Sequence, residues 1–458
     1  MKRILPLILL SIFILQGMTA QEKIWTLEEC IRYAIDNNIT IKQQELQTDY
    51  QENLLLQSKL SRLPSLNGQA SNNFSFGRAL DETTYEFTDN ETIMSSNFYA
   101  GANITLFNGL QKMNTIRSNQ YKLEASIKDL DKIKDDISLA VALSYLQVLL
   151  NKELVAVTET QLQTTLEQID RTEKMVEAGS LARGSLLEIK AQAAREELQL
   201  INIQNQLSIS YLDLVQLLEL ESTENFEIDE PQIDISDSEI IDGDINTIFR
   251  EAEQLRPEIE SARLRLQSAE YDLKIAQGAL SPSLSLGTTF STGYSDIRQK
   301  LVGFDPGLGT PIYEEYPFGD QINDNINYGV GFTLSIPIFN GWQVRTNIAN
   351  SRINIQNSQY SLESNRKQLY KSIQQAYADA EASLKSYYAS QVAVESMEES
   401  FRYSEQKLNV GMVTPIEYNQ AKSQLLSAQS DLASSKYEFI FKTRVLDFYR
   451  GKLLSLDN

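Results

Sequence analysis

Few side chains in this sequence have types and spacings that could do chemistry. Histidine is absent from all 458 residues, which removes imidazole metal ligands and histidine acid–base catalysis. Cys30 is the one cysteine. It has no disulfide partner, lies too far from a leader's end to be a lipid anchor, and reads as an ordinary helix residue. No glycine-rich phosphate loop, cysteine pair or nucleophile motif occurs. A metal site made only of carboxylates stays open, and acids do cluster: 221–244 holds ten acids and no base. With Pro231 and Gly243 inside it, that run reads as a solvated connector, a belt or loop outside the helices. The chain is therefore expected to be no enzyme and to need no cofactor.

Composition bounds the rest. With 42% hydrophobic and 22% charged residues, the chain can bury a substantial core and is not disordered. Two cations, Lys2 and Arg3, precede an apolar run over 4–15 and then "QGMTA". Residues 1–20 thus read as a secretory signal peptide too short to span a bilayer. The net charge is −21, and losing Lys2 and Arg3 with the signal takes it to −23. Nucleic acid and anionic membrane surfaces are poor partners for such a chain. No later segment approaches 18 consecutive apolar residues, which argues against a helical membrane protein and leaves a strand-built one open.

The sequence says the same thing twice. "LFNGLQ" at 106–111 and "IFNGWQ" at 338–343 lie 232 positions apart, and Gly179 with Gly411, Lys190 with Lys422 and Gln192 with Gln424 match at the same offset. "RLPSL" at 62–66 answers "LSPSL" at 280–284 at an offset of 218, so copy two carries 14 extra residues between Pro282 and Phe339. A duplication with one insertion fits these offsets.

Each copy reads in one order. A helical stretch (27–62, then 246–280) is stopped by Pro64 or Pro282, since proline lacks an N–H and restricts its neighbour. Two alternating segments follow. Leu284, Leu286, Phe290 and Tyr294 alternate with small or polar residues, and from 326 to 338 Tyr328, Val330, Phe332, Leu334, Ile336 and Ile338 do so again. Copy one is weaker but parallel, with Phe98, Ala100, Ala102, Ile104 and Leu106. Period two means strands with one apolar and one polar face. Their length suits a bilayer-spanning barrel, with a soluble sandwich as the alternative.

After each Asn-Gly comes a run free of proline and internal glycine. Taken over 109–177, the first has 69 residues, about 100 Å of helix. Tyr370, Ile373, Tyr377, Ala380, Leu384 and Tyr387 in the second make a heptad seam, read as packing. "EAGSLARGS" and "NVGMVTPIE" then break the helix, with glycine supplying the left-handed turn and Pro415 opening the next helix. The shorter stretches 27–62 and 182–220 together come to 75 residues, long enough to stack end to end beside the long helix.

The resulting plan is a signal peptide (1–20) and a first repeat (21–220) with a hairpin at about 65–107, a long helix over 109–177 and a helix over 182–220. An acidic connector (221–245) leads to a second repeat (246–450) with a hairpin at about 283–339, a long helix over 341–408 and a helix over 415–450, then a tail (451–458).

This order resembles the TolC-like outer membrane efflux protein family over nearly the whole mature chain. "RPEIESARLRL" (256–266), "PIFNGW" and the tip "AGSLARGSLLEIKAQ" carry the likeness most specifically. The resemblance implies an α+β membrane protein: a homotrimer in which each chain gives four strands to a twelve-stranded outer-membrane barrel, with long coiled-coil helices forming a periplasmic tunnel. Oligomerisation also follows from physics, because four strands cannot close a barrel and an open edge in lipid leaves backbone groups unsatisfied. Asn108, Gly109, Asn340 and Gly341 then mark where barrel strands become tunnel helices.

The resemblance further implies an exit duct working with an inner-membrane RND or ABC pump and a periplasmic adaptor, passing small molecules or polypeptides outward. Adaptor contact falls on Gly179, Ser180, Leu181, Arg183, Gly411, Met412 and Val413. The family's acidic pore constriction maps to Glu417 and Gln420, with Ser185 at the matching place in copy one, so one acid is kept and the second is an amide. A weaker cation-selective ring is expected. Glu417 could instead simply cap the following helix. The alternative functions are a periplasmic adaptor, which would need a lipoyl-like domain, and a structural coiled-coil envelope protein.

Overall fold

The computed structural model describes residues 24–78, 80, 87, 89–231, 243–452 and 454. Residues 1–23, which include the expected signal peptide, the connector residues 232–242 and most of the tail beyond 452 lie outside these.

Copy one runs β1 (Ile24–Trp25), α1 (Leu27–Asn37), α2 (Ile39–Leu60), β2 (Ser65–Gly77), β3 (Glu91–Asn108), α3 (Gln111–Glu177) and α4 (Arg183–Leu217). After β4 (Glu227–Ile228), copy two runs α5 (Ile245–Leu255), α6 (Pro257–Gly278), β5 (Ser283–Ser295), β6 (Gln299–Phe304), β7 (Pro311–Glu315), α7 (Phe318–Asp324), β8 (Asn327–Ser335), α8 (Gln343–Asn409) and α9 (Pro415–Tyr449). The bounds of α1, α2 and β2 recur in α5, α6 and β5 displaced by 218, and those of α3 and α4 recur in α8 and α9 displaced by 232. The 14 inserted residues belong to the segment that folds as β6, β7 and α7.

The first helical stretch of each copy, expected to be continuous, is two helices. In copy one Asn38 leaves helical geometry (φ −59°, ψ 129°). Its side chain accepts the N–H groups of Thr40 at 2.9 Å and Ile41 at 3.4 Å, an N-cap for α2. In copy two Pro257 has no N–H to donate and keeps Arg256 extended (φ −71°, ψ 125°).

The chain divides into two compact units. The first holds residues 24–44, 130–257 and those from 366 onward. Its core joins Leu27, Cys30 and Ala34 of α1 to Val141, Tyr145 and Leu149 of α3, to Leu214 and Leu218 at the end of α4, and to Ile440 of α9. Fully burying each such large aliphatic side chain contributes about 1.5–3 kcal/mol. The Asn38 amide donates to the Leu217 carbonyl at 3.3 Å, so the end of α4 abuts the α1–α2 break. An 18-residue window of α3 is apolar enough on average to cross a membrane, though it is no unbroken apolar run, and its Val141, Ala142, Tyr145, Leu146, Val148 and Leu149 are buried in this core. The connector is also less solvated than expected. β4 pairs in parallel with β1, and Phe226 and Ile228 sink into the same core, because an acidic run can still dock by the apolar residues interspersed in it. The Tyr145 hydroxyl donates to the Asp229 carbonyl at 2.8 Å, pinning the connector to α3. On α8, Ile373 and Ala380 of the expected seam are fully buried, and Tyr387 stacks on Phe439 of α9 at 6.5 Å.

The second unit holds residues 45–129 and 258–365. Its antiparallel sheet has the order β2-β3-β5-β8, so the two copies meet at β3 and β5. The register places Leu66, Phe74, Phe98, Phe290, Val330 and Phe332 on one face, with Phe74 opposite Met94, Phe290 opposite Tyr328 and Leu286 opposite Phe332. The other face is small and polar, from Ser71 and Asn97 to Thr289 and Thr333. The return strand of copy two, expected to reach Ile338, ends at Ser335: Pro337 cannot donate to a ladder, and β5 offers no residue beyond Ser283 to pair with it. α7 clamps one end of the sheet. The buried Gln321 side chain bonds both backbone groups of Ser295 at 2.9–3.0 Å, and the Phe318 ring meets Phe98 and Tyr294 edge-on.

Candidate functional site

The two Asn-Gly junctions have an unusual backbone. Gly109 and Leu110 both have positive φ (64° and 62°), as do Gly341 and Trp342 (58° and 69°). Two consecutive left-handed residues make a type I′ turn, closed in copy two by the Gln343 N–H donating to the Asn340 carbonyl at 3.2 Å. The carbonyls of Leu110 and Trp342 accept the first helical bonds, from Asn114 at 2.9 Å and Thr346 at 3.0 Å. The strand thus turns into a helix within four residues. Glycine is needed at the first left-handed position of copy one for space as well. A Cβ on Gly109 would overlap the Gly278 carbonyl oxygen, and one on Gly278 would lie 2.5 Å from the Gly109 carbonyl oxygen. Around Gly341 nothing lies within 4 Å.

The two tips share a stop but not a start. Gly179 and Gly411 both have φ 74°. In copy one Ser180 N–H donates to the Met175 carbonyl at 2.9 Å and Gly179 N–H to that of Val176 at 3.0 Å; Met412 and Gly411 do the same to Lys407 and Leu408 at 2.8 and 3.0 Å. These are the paired bonds of a Schellman stop. Gly179, Ser180, Arg183, Gly411 and Met412 are exposed, and Leu181 and Val413 half-buried. The following helices differ. α9 begins with a capping box: Glu417 N–H donates to Thr414 Oγ1 at 3.3 Å, Thr414 N–H donates to the Glu417 carboxylate at 2.8 Å, and Pro415 fills the first turn. α4 begins at Ala182 with no side-chain cap. Glu417 is therefore the cap of its own helix while its side chain stays exposed, and Gln420 lies one turn further on, also exposed. Ser185 is half-buried in the first turn of α4.

Beyond the α9 cap, unit one hides an ionic cluster that sequence reasoning missed. Lys422 and Glu196 are each 2% exposed. The Lys422 ammonium donates to the Gln161 carbonyl at 2.8 Å and to the Thr165 hydroxyl, which in turn donates to the Glu196 carboxylate; ammonium and carboxylate are 3.9 Å apart. Gln192 donates to the other Glu196 oxygen at 2.9 Å, whereas Gln161 Nε2 is buried without a partner. Burial pulls the Lys422 pKa down to about 8 against the opposing pull of Glu196. Burial, then Glu405 and Glu196, pushes the neighbouring Tyr418 up to about 12. The cluster ties α9 to α3 and α4. Lys422 drew notice only as a repeat match to Lys190, and the Lys190 side chain instead forms an exposed pair with Glu173 at 3.3 Å. Among the described residues no group of three or more acids, cysteines or histidines could hold a metal ion.

A sheet with one broad apolar face, covered by α7 only at one end and joined through two strained turns to helices of 67 residues, defines an α+β channel protein of a lipid membrane. The chain belongs to the outer membrane efflux protein family, whose sequence profile matches residues 30–219 and 248–440. It is 24% identical over 394 residues to outer membrane protein TolC of Escherichia coli (strain K12), covering 78% of this chain and 76% of that one. Among solved structures it is similar to the outer membrane protein VceC of Vibrio cholerae (TM-score 0.74, 16% identity, 93% of this chain and 96% of that). It is equally similar to the CmeC outer membrane channel of Campylobacter jejuni (TM-score 0.74, 16% identity, 93% of this chain and 84% of that). The protein is thus an efflux protein of the outer membrane with the channel fold of that family.

Proposed function

We propose that the protein is the outer-membrane exit duct of a tripartite efflux system, a homotrimer whose helices reach into the periplasm toward an adaptor and an inner-membrane RND or ABC pump. The observation that carries this reading is the four-stranded sheet with a largely uncovered apolar face and two unpaired edges among the described residues. Such a sheet satisfies its backbone in lipid only as part of a closed barrel. Trp342, exposed at the turn where strand becomes helix, suits the membrane–water boundary, where tryptophan collects.

The tips supply the adaptor contact through Gly179, Ser180, Leu181, Arg183, Gly411, Met412 and Val413. Met412 and Val410 are exposed apolar side chains there, the kind of surface a partner covers. At this end Glu417, flanked by Gln420 and Ser185, forms a ring of three carboxylates about the threefold axis, which attracts cations. Because Glu417 also caps α9, substitution by alanine would change two things at once. Glu417→Gln keeps the capping box, which accepts glutamine, and removes only the charge. Planar-bilayer recordings of this variant are expected to show reduced cation selectivity; unchanged selectivity would leave Glu417 as a cap alone.

A further inference from the structure

Resting on the trimeric-duct reading, the internal duplication fixes how one chain meets the next. Within the chain, β3 of copy one lies along β5 of copy two, with Ser96 opposite Tyr294, Phe98 opposite Thr292 and Gly101 opposite Thr289. The free edges, β8 of copy two and β2 of copy one, are the counterparts of those two strands. The counterpart of Gly101 is Thr333 and that of Thr289 is Ser71, by the same displacements that relate the helices. The rule holds inside the hairpins too: Ser65 opposes Asn103 in copy one, and their counterparts Ser283 and Ser335 oppose each other in copy two.

We propose that a second copy of this chain lays its β2 antiparallel along β8 with Tyr328 opposite Phe76, Val330 opposite Phe74 and Thr333 opposite Ser71, and that Leu60 holds open the junction which Gly278 closes elsewhere. The barrel wall is incomplete without these partner residues. The register joins like faces, with Tyr328 on Phe76 and Val330 on Phe74 on the apolar side and Thr333 on Ser71 on the polar side, while Phe332 meets Asn72 as the polar exception on the apolar face; a slip of one residue would oppose the faces.

The residues at the proposed seam are open to a partner. Phe107, covered by β5, is 45% exposed, whereas its counterpart Phe339 is 81% exposed. Leu284 is half-buried against β3, whereas its counterpart Leu66 is 77% exposed. Phe339 and Leu66 are the pair that the rule brings together, since Phe107 opposes Leu284. β3 continues to Asn108 along β5, whereas β8 ends at Ser335 opposite the first residue of β5. The helices below show the same difference. Ser118 of α3 bonds Ser268 of α6 at 3.0 Å and both are buried, whereas their counterparts Asn350 and Tyr50 are exposed.

The junction breaks the repeat symmetry. Gly109 and Gly278 touch backbone to backbone, but the counterparts are Gly341 and Leu60. A Cβ at Gly278 would lie 2.5 Å from the Gly109 carbonyl and 2.7 Å from Gln111 Cγ, so Leu60 cannot approach Gly341 as closely. The seam between chains is therefore wider at this level than the seam within a chain.

The test uses the full chain with two cysteines, Thr333→Cys with Ser71→Cys, and separately Ser335→Cys with Gln69→Cys. Directly opposed residues have Cα atoms about 4.5–5.5 Å apart, within disulfide reach of about 4.4–6.8 Å. The shifted pair Thr333→Cys with Asn73→Cys falls outside it. Cys30 is fully buried and can stay. Oxidation of the protein in membranes should convert each matched pair into a covalent trimer on non-reducing gels and leave the shifted pair and single variants monomeric. A trimer by light scattering in detergent that cross-links only in the shifted pair, or in none, overturns the register and leaves the duct reading standing. A monomer by light scattering removes both.

Discussion

Replacing Lys422 by methionine probes the buried cluster directly. The substitution keeps the volume of the stem but strips Glu196 of its counter-charge, leaving a carboxylate that is 2% exposed with only Thr165 and Gln192 as donors. Breaking one partner of a buried pair costs about 3–5 kcal/mol. At about 1.4 kcal/mol per tenfold, backbone amides of 158–168, 190–199 and 418–428 should exchange hydrogen about 100- to 4,000-fold faster, measured by mass spectrometry on the purified protein. The double variant Lys422→Met with Glu196→Gln should recover most of the protection, since a buried pair replaced whole is often neutral. The pH dependence has a definite sign. Lys422 titrates near 8 in the folded chain and near its ordinary 10.5 in the unfolded one, so between these values the unfolded state binds more protons. Rising pH through that window therefore adds local stability, up to about 3 kcal/mol, an increment that Lys422→Met abolishes. Unchanged exchange in Lys422→Met, or a double variant as unprotected as the single one, would refute the reasoning.

Gly109→Ala should cost about 3 kcal/mol or more, from left-handed strain of about 1–2 kcal/mol plus overlap with the Gly278 backbone. Gly341→Ala should cost only the strain, so the two should differ clearly in the temperature at which the assembly dissociates on gels. Thr414→Ala should loosen the first turn of α9 by about 1 kcal/mol, and Ala182→Asp should tighten that of α4 by a similar amount, read as amide exchange at 415–418 and 183–186. Arg256→Lys should lower the urea midpoint by the equivalent of about 2 kcal/mol. The Arg256 guanidinium is buried, pairs with Asp135 at 3.1 Å and stacks 4.2 Å from the Phe448 ring, and lysine matches neither geometry.

What the sequence settled by itself was everything that depends on neighbours along the chain. Alternation at 284–294 and 326–335 marks strands because side chains on a pleat point to opposite faces. Gly179 and Gly411 mark helix stops because only a residue without a Cβ takes φ near 74° at little cost, and Asn-Gly marks the strand-to-helix turns for the same reason. The two offsets revealed the duplication, and with it the family. Even the break at Pro257 was legible in principle, since proline forces its predecessor out of the helix, but the apolar periodicity on either side masked it. Tertiary structure decided whatever joins residues far apart. Nothing around Lys422 in the chain announces a buried charge, because Thr165 and Glu196 come from other helices more than 200 positions away. Phe226 and Ile228 sit in a run of acids and were read by their neighbours' charge, yet a core with room for two apolar side chains outweighed it. β8 ends at Ser335 because β5, its neighbour in the sheet, begins opposite it at Ser283, a pairing between strands that no local pattern encodes, with Pro337 alone readable as a stop.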